Sequence, residues 1–241
     1  MNAQVWCASA LVDGRPQRDV LIGIVDGRFA TITAHAEPGT ATRLSGFTMP
    51  GLANAHSHAF HRALRSRTQA DRGTFWTWRD LMYRAAERLE PDSYRRLARA
   101  VFAEMALAGV SCVGEFHYLH HRVDGGQYAD PNEMGLALLA AADDVGIRIT
   151  LLDTLYLYGG FGADGYNEPV GTQQRFSDGT ASRWADRVDR LASGDTHRIG
   201  AAIHSVRAVD PRSMQLVADW AATHQAPLHA HVSEQIAENE A

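Results

Sequence analysis

The chain has 241 residues, of which 45% are hydrophobic and 21% charged, with a formal net charge of −5. That balance reads as a folded globule with one sizeable core, not as a disordered chain. The acidic excess argues against a dedicated nucleic-acid binder, and no run approaches the roughly 18 apolar residues of a membrane span. The N-terminal stretch has no basic region leading into an apolar one, so the sequence reads as carrying no secretory signal. Cys7 and Cys112 lie apart in apolar surroundings, form no metal-type pair, and suit a reducing cytoplasm. All 23 basic residues are Arg, a chain-wide bias confined to no patch. The 12 His are out of proportion, and where they cluster decides the argument.

From the N-terminus to residue 48 the pattern is β. Val5–Val12, Val20–Val25 and Arg28–Ile32 are short runs of β-branched and apolar residues, separated by Asp13-Gly14 and Asp26-Gly27 turns. They predict a small antiparallel layer without chemistry of its own, forming a first domain over 1–48. Pro38-Gly39 breaks the segment before Phe47. From Met49 the rhythm changes to strand and helix in alternation, and 49–241 reads as a second domain. Strands are predicted at Phe47–Ala55, Ser111–Tyr118, Ile147–Tyr156, Ile199–Val206 and Pro227–Val232. Helices are predicted at Phe75–Leu89, Asp92–Ala108, Pro131–Val145, Ser182–Leu191 and Pro211–His224, with a long loop over 159–179. In the second helix Leu97, Val101 and Met105 recur on one face, and Gly109 ends it.

Repeated strand–helix units imply an α/β fold with a parallel sheet under helical cover. Two architectures fit: a doubly wound open sheet, or a partial TIM-type (β/α)8 barrel of about five units. An open sheet announces its ligand site with a Gly-rich turn after the first strand. Here that strand ends in Asn54-Ala55-His56-Ser57-His58. Polar, chemically able residues stand at the C-terminal ends of nearly all the strands, which converge on one rim in a barrel. The barrel is the favoured reading, although a complete one needs about 250 residues by itself.

Four constellations could carry chemistry. His56 and His58, two apart in an extended segment, point to the same side and can reach one cation; hydrogen-bonded strand-end histidines are the plainer alternative. His231 closes the fifth strand with Glu234 three residues beyond, supplying a third imidazole and a carboxylate for proton transfer. His229 reads as a core residue. His204 and Arg207 end the fourth strand, and with Arg79 they offer guanidinium groups suited to bidentate capture of a carboxylate. Phe75, Trp76 and Trp78 beside Arg79 read as packing. In Glu115–His121, residues Glu115, His117 and His121 make a second, weaker metal set, with Tyr118 facing a ligand as the alternative.

With these residues in hand the sequence resembles the amidohydrolase superfamily and, within it, the formimidoylglutamate deiminases of histidine breakdown. The carrying segments are Pro50–Phe60, Phe75–Arg79, Glu115–His121, His204–Val209 and His229–Gln235. The resemblance runs through essentially the whole chain. It implies a divalent metal, Zn²⁺ first, on His56, His58 and His231, with Glu234 as the catalytic proton shuttle. It implies that Arg79, Tyr118, His204, Arg207 and His61 bind substrate, His61 standing where some relatives have Gln. The implied reaction is hydrolysis of N-formimidoyl-L-glutamate to N-formyl-L-glutamate and ammonia. An acidic amidine would be the small-molecule partner, without nucleic acid or membrane, in a cytoplasmic protein whose longer relatives could form homodimers.

The resemblance also implies a further His after a sixth strand and a metal-binding Asp after an eighth. Neither lies within the 241 residues, so the chain reads as truncated and inactive by itself, with unpaired edges on its first and fifth barrel strands. Another deaminase of the superfamily, acting on a nucleobase or cyclic amidine, and a non-catalytic fragment are the competing expectations.

Overall fold

The structure is a computed structural model that describes residues 2–68, 73–162 and 164–240. It divides into two compact units, Met1–Gly51 and Leu52–Ala241. In the first, strands β1 (Ala3–Val12), β2 (Arg15–Val25), β3 (Arg28–Thr33) and β4 (Thr42–Thr48) form a sheet in the order β3-β2-β1-β4. The Asp13-Gly14 and Asp26-Gly27 turns have positive φ at both positions. That geometry matches the strand twist and closes two-residue hairpins. The expected antiparallel layer is corrected in one respect: β4 pairs with β1 in parallel. The predicted strand Phe47–Ala55 is likewise divided, because Pro50-Gly51 separates β4 from the next strand. Cys7, Ala10 and Val20 form this unit's small core.

The second unit alternates as the sequence pattern requires. Its strands are β5 (Leu52–Ser57), β6 (Val110–His117), β7 (Arg148–Leu155), β10 (His197–Ile203) and β11 (Leu228–Ala230). All neighbours are parallel, and the sheet order is β11-β10-β7-β6-β5. Each strand lies beside its successor in the chain, with no reversal of order. A doubly wound sheet reverses at its switch point; a barrel does not. The fold is therefore a curled partial barrel, with β5 and β11 at its two edges.

Local chemistry sets the helix bounds. Helix α1 (Phe75–Ala86) begins at Thr74, whose hydroxyl and that of Thr77 cap each other's backbone N–H groups. Helix α2 (Pro91–Leu107) starts with Pro91, and α3 (Glu133–Val145) stops at Gly146, whose φ is 80°. Thr180 and Asp210 cap α4 (Ala181–Val188) and α5 (Pro211–Thr223), and the short α6 (Ala237–Glu240) follows β11. The long loop over 159–179, apart from residue 163, carries a small hairpin of β8 (Gly160–Gly162) and β9 (Gly165–Asn167). Buried Arg175 fastens this loop, donating to the carbonyls of His121, Ala86 and Leu89. At Gly114 of β6 a Cβ atom would lie 2.8 Å from the Ala55 carbonyl oxygen, so only glycine allows β5 to approach so closely. Among the described residues, no helix is long and apolar enough to cross a membrane.

The outward face of the sheet is fixed by a buried ion network. Arg187 of α4 donates to both oxygens of Asp153 at 2.8 and 2.9 Å and to both oxygens of Asp178 at 2.9 and 3.0 Å. Its fork also reaches the Asn132 side chain at 3.1 Å, and the Trp184 indole donates to Asp153 at 3.0 Å. Burial pushes the Asp153 carboxyl upward, but the Arg187 charge prevails and brings it down to about 2. Asp178 is held well below the ordinary carboxylate range by the same guanidinium, against the same burial.

Removing one partner of such a network strands buried charge. Arg187→Met is expected to cost about 3–5 kcal/mol in urea unfolding, and adding Asp153→Asn with Asp178→Asn should recover part of it. With depressed carboxyl pKa values, the network's contribution is fully present above the unfolded carboxylate range, near pH 4. It is lost as pH falls through about 2 for Asp153. Acid titration of the unfolding midpoint, compared between wild type and the triple variant, checks the sign.

Candidate metal centre and adjoining cavity

Strand β6 orients the histidines at the end of β5. The Glu115 carboxylate, fully buried, accepts from the Ala59 backbone N–H at 2.6 Å. The Phe116 carbonyl oxygen lies 2.9 Å from His58 Nδ1. A carbonyl can only accept, so the neutral ring carries its proton on Nδ1 and leaves a lone pair on Nε2. That Nε2 atom is 3.2 Å from His231 Nε2, which is 3.3 Å from His56 Nε2. His231 comes from the turn after β11, its backbone N–H bonded to the His204 carbonyl at 3.3 Å and its ring stacked on Phe116 at 4.0 Å.

These three rings pass a fit test for a divalent cation. In a tetrahedral zinc site with Zn–N bonds of about 2.0–2.1 Å, neighbouring nitrogens sit about 3.3–3.4 Å apart. One shared proton can bridge one N···N contact; a cation satisfies all three lone pairs. Burial holds His58 well below the usual imidazole range and His231 down to about 4, with the neighbouring histidines adding to both. Burial lowers His56 as well. Neutral imidazoles are what metal ligation requires.

The cluster forms one end of a cavity of about 230 Å³. His61, Arg79, Tyr118, His204, Arg207 and Glu234 all line it. His61 Nε2 and the Tyr118 hydroxyl are 2.8 Å apart. Burial drives His61 down to about 3, and burial lifts Tyr118 well above its usual range, so both are neutral near pH 7. His204, also neutral through burial, lies 3.2 Å from the Ser205 hydroxyl through Nδ1. Burial raises the Glu234 carboxyl, only partly offset by Arg207.

The two arginines differ. Arg79 on α1 lies over Trp76 at 4.4 Å and over Tyr83 at 5.4 Å, and its buried Nε has no hydrogen-bond partner. Among the described residues no carboxylate pairs with it. Arg207 instead ion-pairs with Glu234 and with Glu238 of α6. The aromatic trio read as packing is divided in use: Phe75 and Trp78 line the cavity, whereas Trp76 carries Arg79. Tyr156 and Gln173, 3.1 Å apart, also line it and were not singled out from the sequence. Nor was Glu238, whose partner Arg207 lies 31 positions away, so that no local pattern marks it.

The second histidine set differs from its expectation. Glu115 and His121 do not join His117; the group that assembles is His117, His120 and Asp153, entirely buried. His120 Nε2 donates to the Thr154 carbonyl at 3.0 Å, and Asp153 is already engaged by Arg187 and Trp184. A guanidinium in bidentate contact occupies the charge that a cation would need. The group belongs to the structural network on the outward face.

A parallel partial barrel that gathers three histidines at the C-terminal ends of its strands places the cluster where barrel enzymes carry their active sites. The amidohydrolase family's sequence model matches residues 47–241, and the chain belongs to that family. It is 41% identical to a formimidoylglutamate deiminase of Pseudomonas aeruginosa over 219 residues, covering 87% of this chain and 47% of that protein. An 8-oxoguanine deaminase of the same organism is 25% identical over 194 residues, covering 80% of this chain and 41% of its own length. The crystal structure of an amidohydrolase from Brucella melitensis superposes with a TM-score of 0.88 at 33% identity, over 99% of this chain and 53% of that one. A zinc-complexed atrazine chlorohydrolase from Arthrobacter aurescens TC1 superposes at 0.73, over 97% of this chain and 53% of its own. At 22% identity that likeness is one of fold. The chain thus spans about half the length of the relatives it matches.

Zinc is expected to bind the 241-residue chain, and His231→Gln to abolish binding in a competition titration with a chromogenic chelator. Glu115→Ala, which frees the Ala59 N–H and the segment bearing His58, should weaken binding about 10–100-fold. Glu115→Gln keeps an acceptor oxygen there and should stay close to wild type.

Proposed function

We propose that this chain carries the metal and substrate half of a deiminase that hydrolyses N-formimidoyl-L-glutamate to N-formyl-L-glutamate and ammonia, a step of histidine breakdown. The observation that carries the reading is one cavity holding both a convergent trio of neutral imidazoles and the Arg79 side chain, whose buried Nε has no hydrogen-bond partner. His56, His58 and His231 would hold the ion, zinc being the first candidate. A divalent cation so held supplies Lewis-acid activation of water near neutral pH.

The chain's own residues do the rest. Arg79, stiffened between two aromatic faces, binds a carboxylate of the substrate bidentately. Neutral Tyr118, His61 and His204 hydrogen-bond the amidine end without adding charge beside the ion. Water adds to the amidine carbon, the C–N bond to the departing nitrogen breaks, and that nitrogen leaves as ammonia. Glu234, its carboxyl raised by burial, takes the proton from water and passes it to the leaving nitrogen.

The aromatic walls of the cavity favour one second reading, a flat cyclic amidine stacked against Trp78 and Tyr156. Calorimetry separates the two. Arg79→Met is expected to weaken N-formyl-L-glutamate binding about tenfold or more, equivalent to about 1.4 kcal/mol, and to leave 8-oxoguanine unaffected. Tight 8-oxoguanine binding with no measurable affinity for the acidic ligand would overturn the first reading.

A further inference from the structure

Arg207 reaches the cavity with its charge already engaged. Its Nε donates to Glu238 and its Nη2 to Glu234. The other oxygen of Glu238 accepts from the Glu234 backbone N–H at 3.1 Å. The side chain of Glu238 is 2% exposed, that of Arg207 16% and that of Glu234 32%. Glu238 is therefore the more buried of the two acids; it holds Arg207 from outside the cavity lining, whereas Glu234 lines the cavity. Glu238 closes a ring in which one guanidinium serves two carboxylates and a backbone N–H fixes their spacing. Arg79, lining the same cavity, has no such occupant.

We propose that Glu238 is a specificity-determining residue, an internal carboxylate seated on Arg207 that an external one must displace. Glu238 presents a carboxylate on a two-methylene stem, the chemistry of a glutamate side chain, and so imitates the ligand it keeps out. A ligand with one carboxylate binds Arg79 without disturbing this ring. A dicarboxylate takes the Nε edge of Arg207 only when Glu238 swings away, which leaves the Glu238 carboxylate to solvent and loosens the Glu234 backbone. Glu238 thus sets how strongly the site prefers one acidic group over two. The inference rests on reading the cavity as a site for acidic ligands.

Calorimetric titration of the 241-residue chain with glutarate and with butyrate tests it. Glu238→Gln keeps an amide oxygen for the Glu234 N–H but turns donors toward Arg207. It should tighten glutarate about tenfold, leave butyrate within about twofold, and lose its gain when Arg207→Met is added. Glu238→Asp, shorter by one methylene but still charged, should give a smaller gain and serves if the first variant folds poorly. Damage to the local structure would weaken both ligands, so a selective gain marks displacement. Glutarate affinity unchanged in both variants, whether measurable or absent throughout, overturns the proposal, as does a gain that survives Arg207→Met. Butyrate binding that Arg79→Met leaves unchanged would sink the acidic-ligand reading instead and leave the glutarate comparison standing.

Discussion

Two consecutive residues of β6 govern the end of β5, and the rim chemistry depends on that contact. Phe116 takes the Nδ1 proton of His58 on its carbonyl, and Glu115 takes the backbone N–H of Ala59. The first bond selects the tautomer; the second fixes the turn that aims the ring. Without the carbonyl, His58 could present N–H toward the cluster as readily as a lone pair, and the convergence would carry no ligand field. Burial then keeps the ring neutral. Proximity of β5 and β6 is itself conditional on Gly114, since any Cβ there meets the Ala55 carbonyl at 2.8 Å.

The same strand separates two kinds of polar chemistry by simple alternation. Phe116 and Tyr118 turn toward the rim cluster, while Glu115 and His117 turn the other way. His117 pairs in register with Asp153, which places β7's carboxylate against Trp184 and Arg187 of α4. The outward side holds the charges of Arg187, Asp153 and Asp178, locked by a fork whose donors are all directed at fixed oxygens, beside His117 and His120, which burial keeps neutral. The inward side holds imidazoles kept neutral by burial. A one-residue slip of β6 would exchange the two sets and ruin both.

Much of this was legible because it is local or periodic. His56 and His58 share a side by the two-residue repeat of a strand, and polar residues at strand ends foretold a common rim. The absence of a Gly-rich first turn weighed against a doubly wound sheet, and the consecutive strand order agrees. What stayed hidden depends on partners distant in sequence. Thr42–Thr48 has too little alternation to announce a strand, and its pairing with β1 is parallel and non-local. The outward network joins Asn132, Asp153, Asp178 and Arg187 across four segments, none of which carries a motif. His117 and His121 sit in one short histidine-rich run, yet strand geometry sends His117 to Asp153 and leaves His121 beside Asp178.

The two cavity arginines show why residue type alone underdetermines a site. Both can chelate a carboxylate by geometry, and sequence offers no reason to rank one above the other. Their surroundings do. Arg79 is held by the faces of Trp76 and Tyr83, which stabilise the cation through ring quadrupoles while leaving its buried Nε without a hydrogen-bond partner. Arg207 lies over Phe75 as well, at 5.6 Å, but its Nε and Nη2 are held by two acids of its own chain. Under the proposed reading an anion entering the cavity would gain charge-assisted hydrogen bonds at Arg79, whereas on the Nε edge of Arg207 it would exchange one carboxylate for another. Two guanidinium groups of equal charge thus differ in what each already touches, and the proposed difference in affinity follows from that.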